Sequence, residues 1–206
     1  MAAPVRSVAD LSALHWPIIG FTGTRAPITP AQEACIRRIM QEVGAKVLHH
    51  GDCVSADELS HRLARELGLE VVLHPPAYKN QDWANCMAKK DPNPGQGSMR
   101  CEPDAGHLER DHHIVDACDG LIVVPRSTQE QMRGSGTWAT YRYAVGANKT
   151  VRAKVLKPAI MVFPDGTLEL RTPAVVNSPP KGSTREKGKG PMDAFLGGSK
   201  RGKGVK

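Results

Sequence analysis

Short apolar runs of strand length recur along the chain. They are Pro17-Ile18-Ile19-Gly20-Phe21, Lys46-Val47-Leu48-His49-His50, Glu70-Val71-Val72-Leu73-His74, Leu121-Ile122-Val123-Val124 and Ala159-Ile160-Met161-Val162-Phe163. Between them the apolar period changes from that of a strand to that of a helix. Thr29 is placed as an N-cap, Pro30 as first helical residue and Gln32 as the closing member of a capping box, with Ile36, Ile39, Met40 and Val43 along one face and Gly44 as the stop. Ser55-Ala56-Asp57-Glu58 predicts a second capping box, leading Leu59, Leu63 and Leu67 to Gly68. Further helices are expected over about 105–117 and 136–147. Strand and helix alternating at this spacing predict an α/β domain with a mainly parallel sheet and right-handed crossovers. Pro164-Asp165-Gly166 is a tight-turn signal with alternation beyond it in 167–171, so the sheet should end in a C-terminal hairpin.

Three stretches fall outside this rhythm. Residues 1–16 read as a loose leader. Residues 77–104 hold Gly, Pro, Asn and Lys with little periodicity, and are too long for an ordinary strand-to-helix connection, so they read as a mobile flap or insertion within a domain of residues 17–172. Residues 173–206 are rich in Gly, Lys, Ser and Pro and read as a disordered basic tail.

Composition refines this picture. The chain has 206 residues and a formal charge of +7, but eight Lys/Arg against two acids lie between Pro179 and Lys206, leaving the body near +1. The basicity belongs to the tail, which makes the tail the candidate nucleic-acid contact and argues against a broad electrostatic groove on the domain. Five scattered cysteines with no CxxC suit neither a disulfide framework nor a zinc knuckle, and they favour a reducing compartment. There is no signal-peptide core and no run of membrane-spanning length, so the expectation is a cytoplasmic protein without a membrane partner. His49 and His50 fall on opposite strand faces, and His112 and His113 point apart on a helix. Neither pair makes a metal site, and no metal or cofactor is expected.

The candidate chemistry sits at the carboxyl ends of the strands, where a parallel sheet binds ligands. Three loops converge there: Gly20-Phe21-Thr22-Gly23-Thr24-Arg25, His50-Gly51-Asp52-Cys53-Val54-Ser55, and Arg133-Gly134-Ser135-Gly136-Thr137. They offer glycines for close approach, hydroxyls, a guanidinium and a carboxylate, which are the donors a phosphate needs and the acceptor a ribose needs. Each loop alone also reads as an ordinary tight turn, since neither G-x-G-x-x-G nor a Walker lysine motif is present. Arg110, in His107-Leu108-Glu109-Arg110-Asp111-His112-His113, stands at a helix start where a cation is unfavourable, so a ligand anion or a carboxylate is its expected partner, the other reading being a solvated face with surface ion pairs. Cys53 is a candidate thiolate near a helix start, or a small semi-buried residue. Trp138 either packs against the domain or stacks on a base.

These motifs resemble the SLOG superfamily, which includes the DNA-processing protein A (Smf) family, the Lonely-Guy phosphoribohydrolases, and small phage and bacterial proteins. The resemblance spans about Ile18 to Phe163. Gly20 to Arg25 is similar to the opening glycine-rich loop, His50 to Asp57 to the second loop element, and Ser135-Gly136-Thr137-Trp138-Ala139-Thr140-Tyr141-Arg142 to the Ser-Gly-Ser/Thr element of the DNA-processing family. The resemblance implies a Rossmann-like three-layer fold. It also implies a nucleotide site drawing on Gly20, Gly23, Thr24, Arg25, Gly51, Asp52, Asp57, Arg110, Ser135, Gly136, Thr137 and Thr140. Phosphoribohydrolases carry a catalytic glutamate where this chain has Thr140. A hydroxyl does not replace that carboxylate, so any catalysis is left to Arg110 with a carboxylate from Glu109, Asp52 or Asp57.

The expected function is therefore binding of a nucleotide or nucleotide-derived ligand. The alternatives are an N-glycosidic hydrolase of nucleoside monophosphates and a single-stranded-DNA accessory protein. In the tail, Met192, Phe195 and Leu196 are spaced like the hydrophobic positions of a sliding-clamp peptide, with Lys189 where its glutamine would stand, and they read either as a peptide-mediated partner contact or as an accidental apolar cluster. An oligomer is compatible with the sequence.

Overall fold

The structure, a computed structural model, describes residues 5–7, 11–147 and 153–173. The basic tail, its Met192, Phe195 and Leu196 peptide and most of residues 1–10 lie outside them. The elements are β1 (Val5–Ser7), β2 (Ile18–Gly23), α1 (Pro30–Glu42), β3 (Val47–His50), α2 (Ala56–Glu66), β4 (Glu70–Leu73), a 3-10 turn (Cys86–Ala88), β5 (Met99–Cys101), α3 (His107–Ala117), β6 (Gly120–Val124), α4 (Gly136–Val145), β7 (Ala159–Val162) and β8 (Leu168–Arg171). The strands form one sheet in the order β1-β8-β7-β6-β2-β3-β4-β5. All neighbours from β7 to β5 are parallel. Strands β7 and β8 form the expected antiparallel hairpin, and β1 closes that edge antiparallel to β8.

The layers follow from side-chain alternation. In β6, Ile122 and Val124 face the cluster built with Ile36, Ile39 and Met40 of α1 and Leu63 of α2, whereas Leu121 and Val123 face Ile114 and Val115 of α3 and Trp138 of α4. Both faces of the central strands are covered, so those strands read as continuous apolar runs. The result is a Rossmann-like α/β sandwich of three layers. The capping box of α1 forms as expected: Thr29 Oγ1 accepts from the Gln32 amide, and Gln32 Oε1 accepts from the Thr29 amide.

Three expectations need correction. Residues 11–16 are not loose. Leu11 and Trp16 are buried in the α1/α2 core, and the Trp16 ring lies so close to Gly120 that a Cβ there would overlap it. Residues 77–104 form neither a free flap nor a mere insertion, because they carry β5 into the sheet. They are held to α2 by the fully buried Arg65, which donates from Nη2 and Nε to the Asp91 carboxylate at 2.7 and 3.2 Å. The second capping box does not form. Ser55 adopts φ +69° and donates its hydroxyl to the Ala26 carbonyl, while the Asp57 carboxylate accepts from the Cys53 amide at 3.2 Å.

Candidate functional site

The chain runs from β2 outward to β5, then returns to place β6 on the other side of β2. The gap between the carboxyl ends of β2 and β6 is therefore the switch point of the sheet, where adjacent connections diverge and leave a crevice. A cleft of about 240 Å³ opens there.

Its floor comes from the β2 loop, Thr22 to Arg25, with the Thr24 amide donating to the Val124 carbonyl of β6. One wall is the second loop, contributing Gly51, Cys53 and Asp57. The opposite wall is Gly134 to Trp138, the start of α4. Arg110 and Asp111 from α3 close the back, and Arg126, Ser127 and Gln131 from the loop after β6 complete the rim. Two glycines are dictated by space. A Cβ at Gly23 would overlap the Ala56 methyl at the start of α2, and one at Gly51 would lie 3.0 Å from an Asp57 carboxylate oxygen and 3.1 Å from Arg110 Cζ.

The electrostatics are mixed, with cationic elements at the mouth and paired acids behind. Ser135 caps α4 by accepting from the Trp138 amide at 3.3 Å. The first-turn amides of α4 have no intrahelical acceptors and present the positive end of the helix dipole to the cleft. Arg110 is buried, donates Nη1 to the Gly51 carbonyl at 2.8 Å, and has no hydrogen-bond acceptor for Nε among the described residues. The Asp111 carboxylate lies 3.5 Å from that Nε. Arg25 is half exposed and pairs with Asp82 at 3.2 Å. Burial pushes the Asp57 carboxyl up to about 7, with the Arg110 guanidinium opposing. Burial also raises Asp111, again against Arg110 and against the hydroxyl of Thr140.

Of the expected site residues, Gly23, Thr24, Arg25, Gly51, Asp57, Arg110, Ser135, Gly136 and Thr137 line the cleft. Four do not. Gly20 lies inside β2, where a Cβ would press on Cys118 and Ile114, so its role is to let α3 approach the strand. Asp52 is buried but turned away, and its carboxylate accepts from Trp83 Nε1 at 2.6 Å and from the Cys86 amide at 2.9 Å. Glu109 is exposed on the outer face of α3, because it precedes by one residue the inward positions 110 and 111. Thr140 is buried behind the cleft, with its Oγ1 3.0 Å from Asp111 Oδ2 and 2.8 Å from the Gly136 carbonyl. Cys53 lines the cleft 3.6 Å from Arg110 Nη1, but burial, with Asp57 adding to it, raises its thiol, so it is not a thiolate. Trp138 both packs in the α3/α4 core and borders the cleft, edge-on to Tyr141.

Asp111 and Arg126 are the residues that sequence reasoning missed. Asp111 stands three and four positions before Ile114 and Val115, which the helical period places on the buried face. That spacing marks it as inward-facing. Arg126 follows β6 at the switch point and was legible only once the strand order was known.

Neither the family models nor the curated proteins compared with this chain give a match. No helix among the described residues is long and apolar enough to cross a membrane.

Proposed function

We propose that this cleft binds a nucleotide or nucleotide-derived ligand through its phosphate, as the resemblance to the SLOG superfamily implies. The observation that carries this reading is the convergence of the β2 loop, the α4 N-terminus and the buried Arg110 on one crevice at the sheet's switch point. Backbone amides of Gly136 and Thr137, at the start of α4, supply donors for phosphate oxygens, and Arg110 supplies charge. Trp138 offers an apolar edge to a base. Five free cysteines, three of them buried, are in keeping with a reducing, cytoplasmic setting.

Mass spectrometry of small molecules released by heat from the purified protein should find a phosphorylated nucleoside. Calorimetry with that molecule on Arg110→Gln should show a roughly 30- to 150-fold weaker Kd, the loss of about 2–3 kcal/mol of charge-assisted hydrogen bonding. Unchanged affinity in that variant would remove the proposal.

One observation favours a second reading, N-glycosidic hydrolysis. Thr140 stands where a phosphoribohydrolase has its glutamate, yet its hydroxyl meets the carboxyl of Asp111, and Asp57 sits across the cleft with its carboxyl near neutrality. Carboxyls from α3 and α2 thus border the space that the missing glutamate would serve, and the Asp57 carboxyl, pushed up to about 7, suits general acid–base work. Free base released from nucleoside monophosphates by the wild type, and not by Asp57→Asn, separates hydrolysis from binding alone.

A further inference from the structure

On the far side of the second loop, away from the cleft, three buried side chains that the nucleotide reading does not use come together. They are His50 at the end of β3, His61 in α2 and Cys86 in the 3-10 turn. Their ligand-type atoms all lie within 4.8 Å of one another, and His50 Nε2 is 3.1 Å from His61 Nδ1. Tetrahedral zinc with nitrogen at about 2.0 Å and sulfur at about 2.3 Å holds its ligand atoms roughly 3.3–3.6 Å apart. The histidine pair is therefore close to coordinating separation, the thiol has to close in, and the His50 ring has to change tautomer.

We propose that His50, His61 and Cys86 form a binding site for a thiophilic divalent cation of the zinc class. Three further features support it. First, the site has an entrance: a second cleft, of about 340 Å³, is lined by His61 and Cys86 together with Ser55, Leu59 and Pro92. Second, negative charge is at hand, and of the cations at the entrance Lys89 is paired with Glu58 and Arg62 with Glu33 and Glu66. The Asp52 carboxylate receives the Cys86 amide at 2.9 Å, so the thiolate and this carboxylate supply two negative charges for one dication. Third, the scaffold is fixed. Asp52 also holds Trp83, and Arg65 of α2 clamps Asp91, so α2 and the segment bearing Cys86 are tied together on both sides of the site.

The proton balance is explicit. The Asp52 amide donates to His50 Nδ1 at 3.1 Å, so the neutral ring carries its proton on Nε2, aimed at His61 Nδ1. When the ion enters, Cys86 loses its thiol proton to solvent, and the His50 proton moves from Nε2 to Nδ1. One proton is released per ion, and the Asp52 amide gives up that one acceptor. Three protein ligands leave the fourth tetrahedral position open toward the second cleft for water or another small ligand.

The test is a cobalt(II) titration of the untagged, full-length, reduced protein, followed by absorbance. The expected result is saturation at one equivalent, with tetrahedral visible bands and a sulfur-to-cobalt charge-transfer band, all bleached by one equivalent of zinc. Cys86→Ser should abolish the charge-transfer band, and His61→Gln should weaken binding at least tenfold. Cys101→Ser, at an exposed cysteine outside the site, should change neither. Absence of a thiolate band in the wild type would overturn the site without relying on any variant, and so would a band that survives Cys86→Ser in a folded protein.

Discussion

The loop after β3 has two sides, and the contrast between them separates polar groups that hold the fold from polar groups left for a guest. Gly51, Cys53 and Asp57 face the switch-point cleft beside Arg110. His50 and Asp52 face the other way, toward His61, Trp83 and Cys86. Consecutive residues part company because Asp52 and Ser55 both occupy the left-handed region, at φ +54° and +69°, which non-glycine side chains rarely adopt. On the far side, Asp52 is saturated by protein donors. On the cleft side, Asp57 has one amide donor and a nearby cation, and Arg110 keeps a nitrogen without an acceptor among the described residues. A carboxylate saturated by its own chain serves stability, and one left partly served beside a cavity is available to chemistry.

The sharpest way to break this contrast is Asp52→Ala. It strands the buried Cys86 amide, at about 1–3 kcal/mol, and the part-buried Trp83 indole N–H, which water partly serves, so the predicted loss is roughly 2–4 kcal/mol. Urea unfolding measures it. Nucleotide affinity of the folded fraction should be unchanged. A stable variant that no longer binds would invert the roles of the two sides.

Asp57 tests the other side through pH. Its carboxyl is pushed up to about 7 in the folded state, against about 3.9 when unfolded, so the folded protein holds the proton more tightly. Stability contributed by the protonated form is complete below pH 4 and is lost as pH rises toward 7, on the order of 2–4 kcal/mol. Asp57→Asn should flatten that slope while keeping the neutral-pH protein at least as stable as wild type. Chemical denaturation at pH 5 and pH 8 decides it: an equal slope in the variant would place the titration elsewhere.

Legibility in the sequence follows the same division. The five strand runs, the α1 capping box and the hairpin were readable because local periodicity and turn chemistry determine them. Leu11 and Trp16 were not, because a short apolar pair without a period gives no sign of the core it will enter. β5 was hidden for a related reason: three residues at a sheet edge, paired with β4 on one side, carry little hydrophobic pattern. In the site, the glycines, hydroxyls and Arg110 were legible as loop chemistry. Which way Asp52 and Asp57 point depends on two backbone conformations that no residue type announces.

The smallest effect is expected from Thr140→Val, which keeps shape and removes one hydroxyl from behind the cleft. That hydroxyl lies 3.0 Å from Asp111 Oδ2 and 2.8 Å from the Gly136 carbonyl, so its single proton serves one acceptor at a time, and the Asp111 carboxyl uses it for orientation. Losing one buried hydrogen bond predicts about 1 kcal/mol of stability. If Asp111 borders the bound ligand as its place in the cleft implies, nucleotide affinity should fall by a similar amount, about fivefold, with the wild-type pH slope of Asp57 retained. Stability loss with affinity untouched would assign Asp111 and Thr140 to the saturated, structural class, and Asp57 would then be the cleft's one chemically available carboxyl among the described residues.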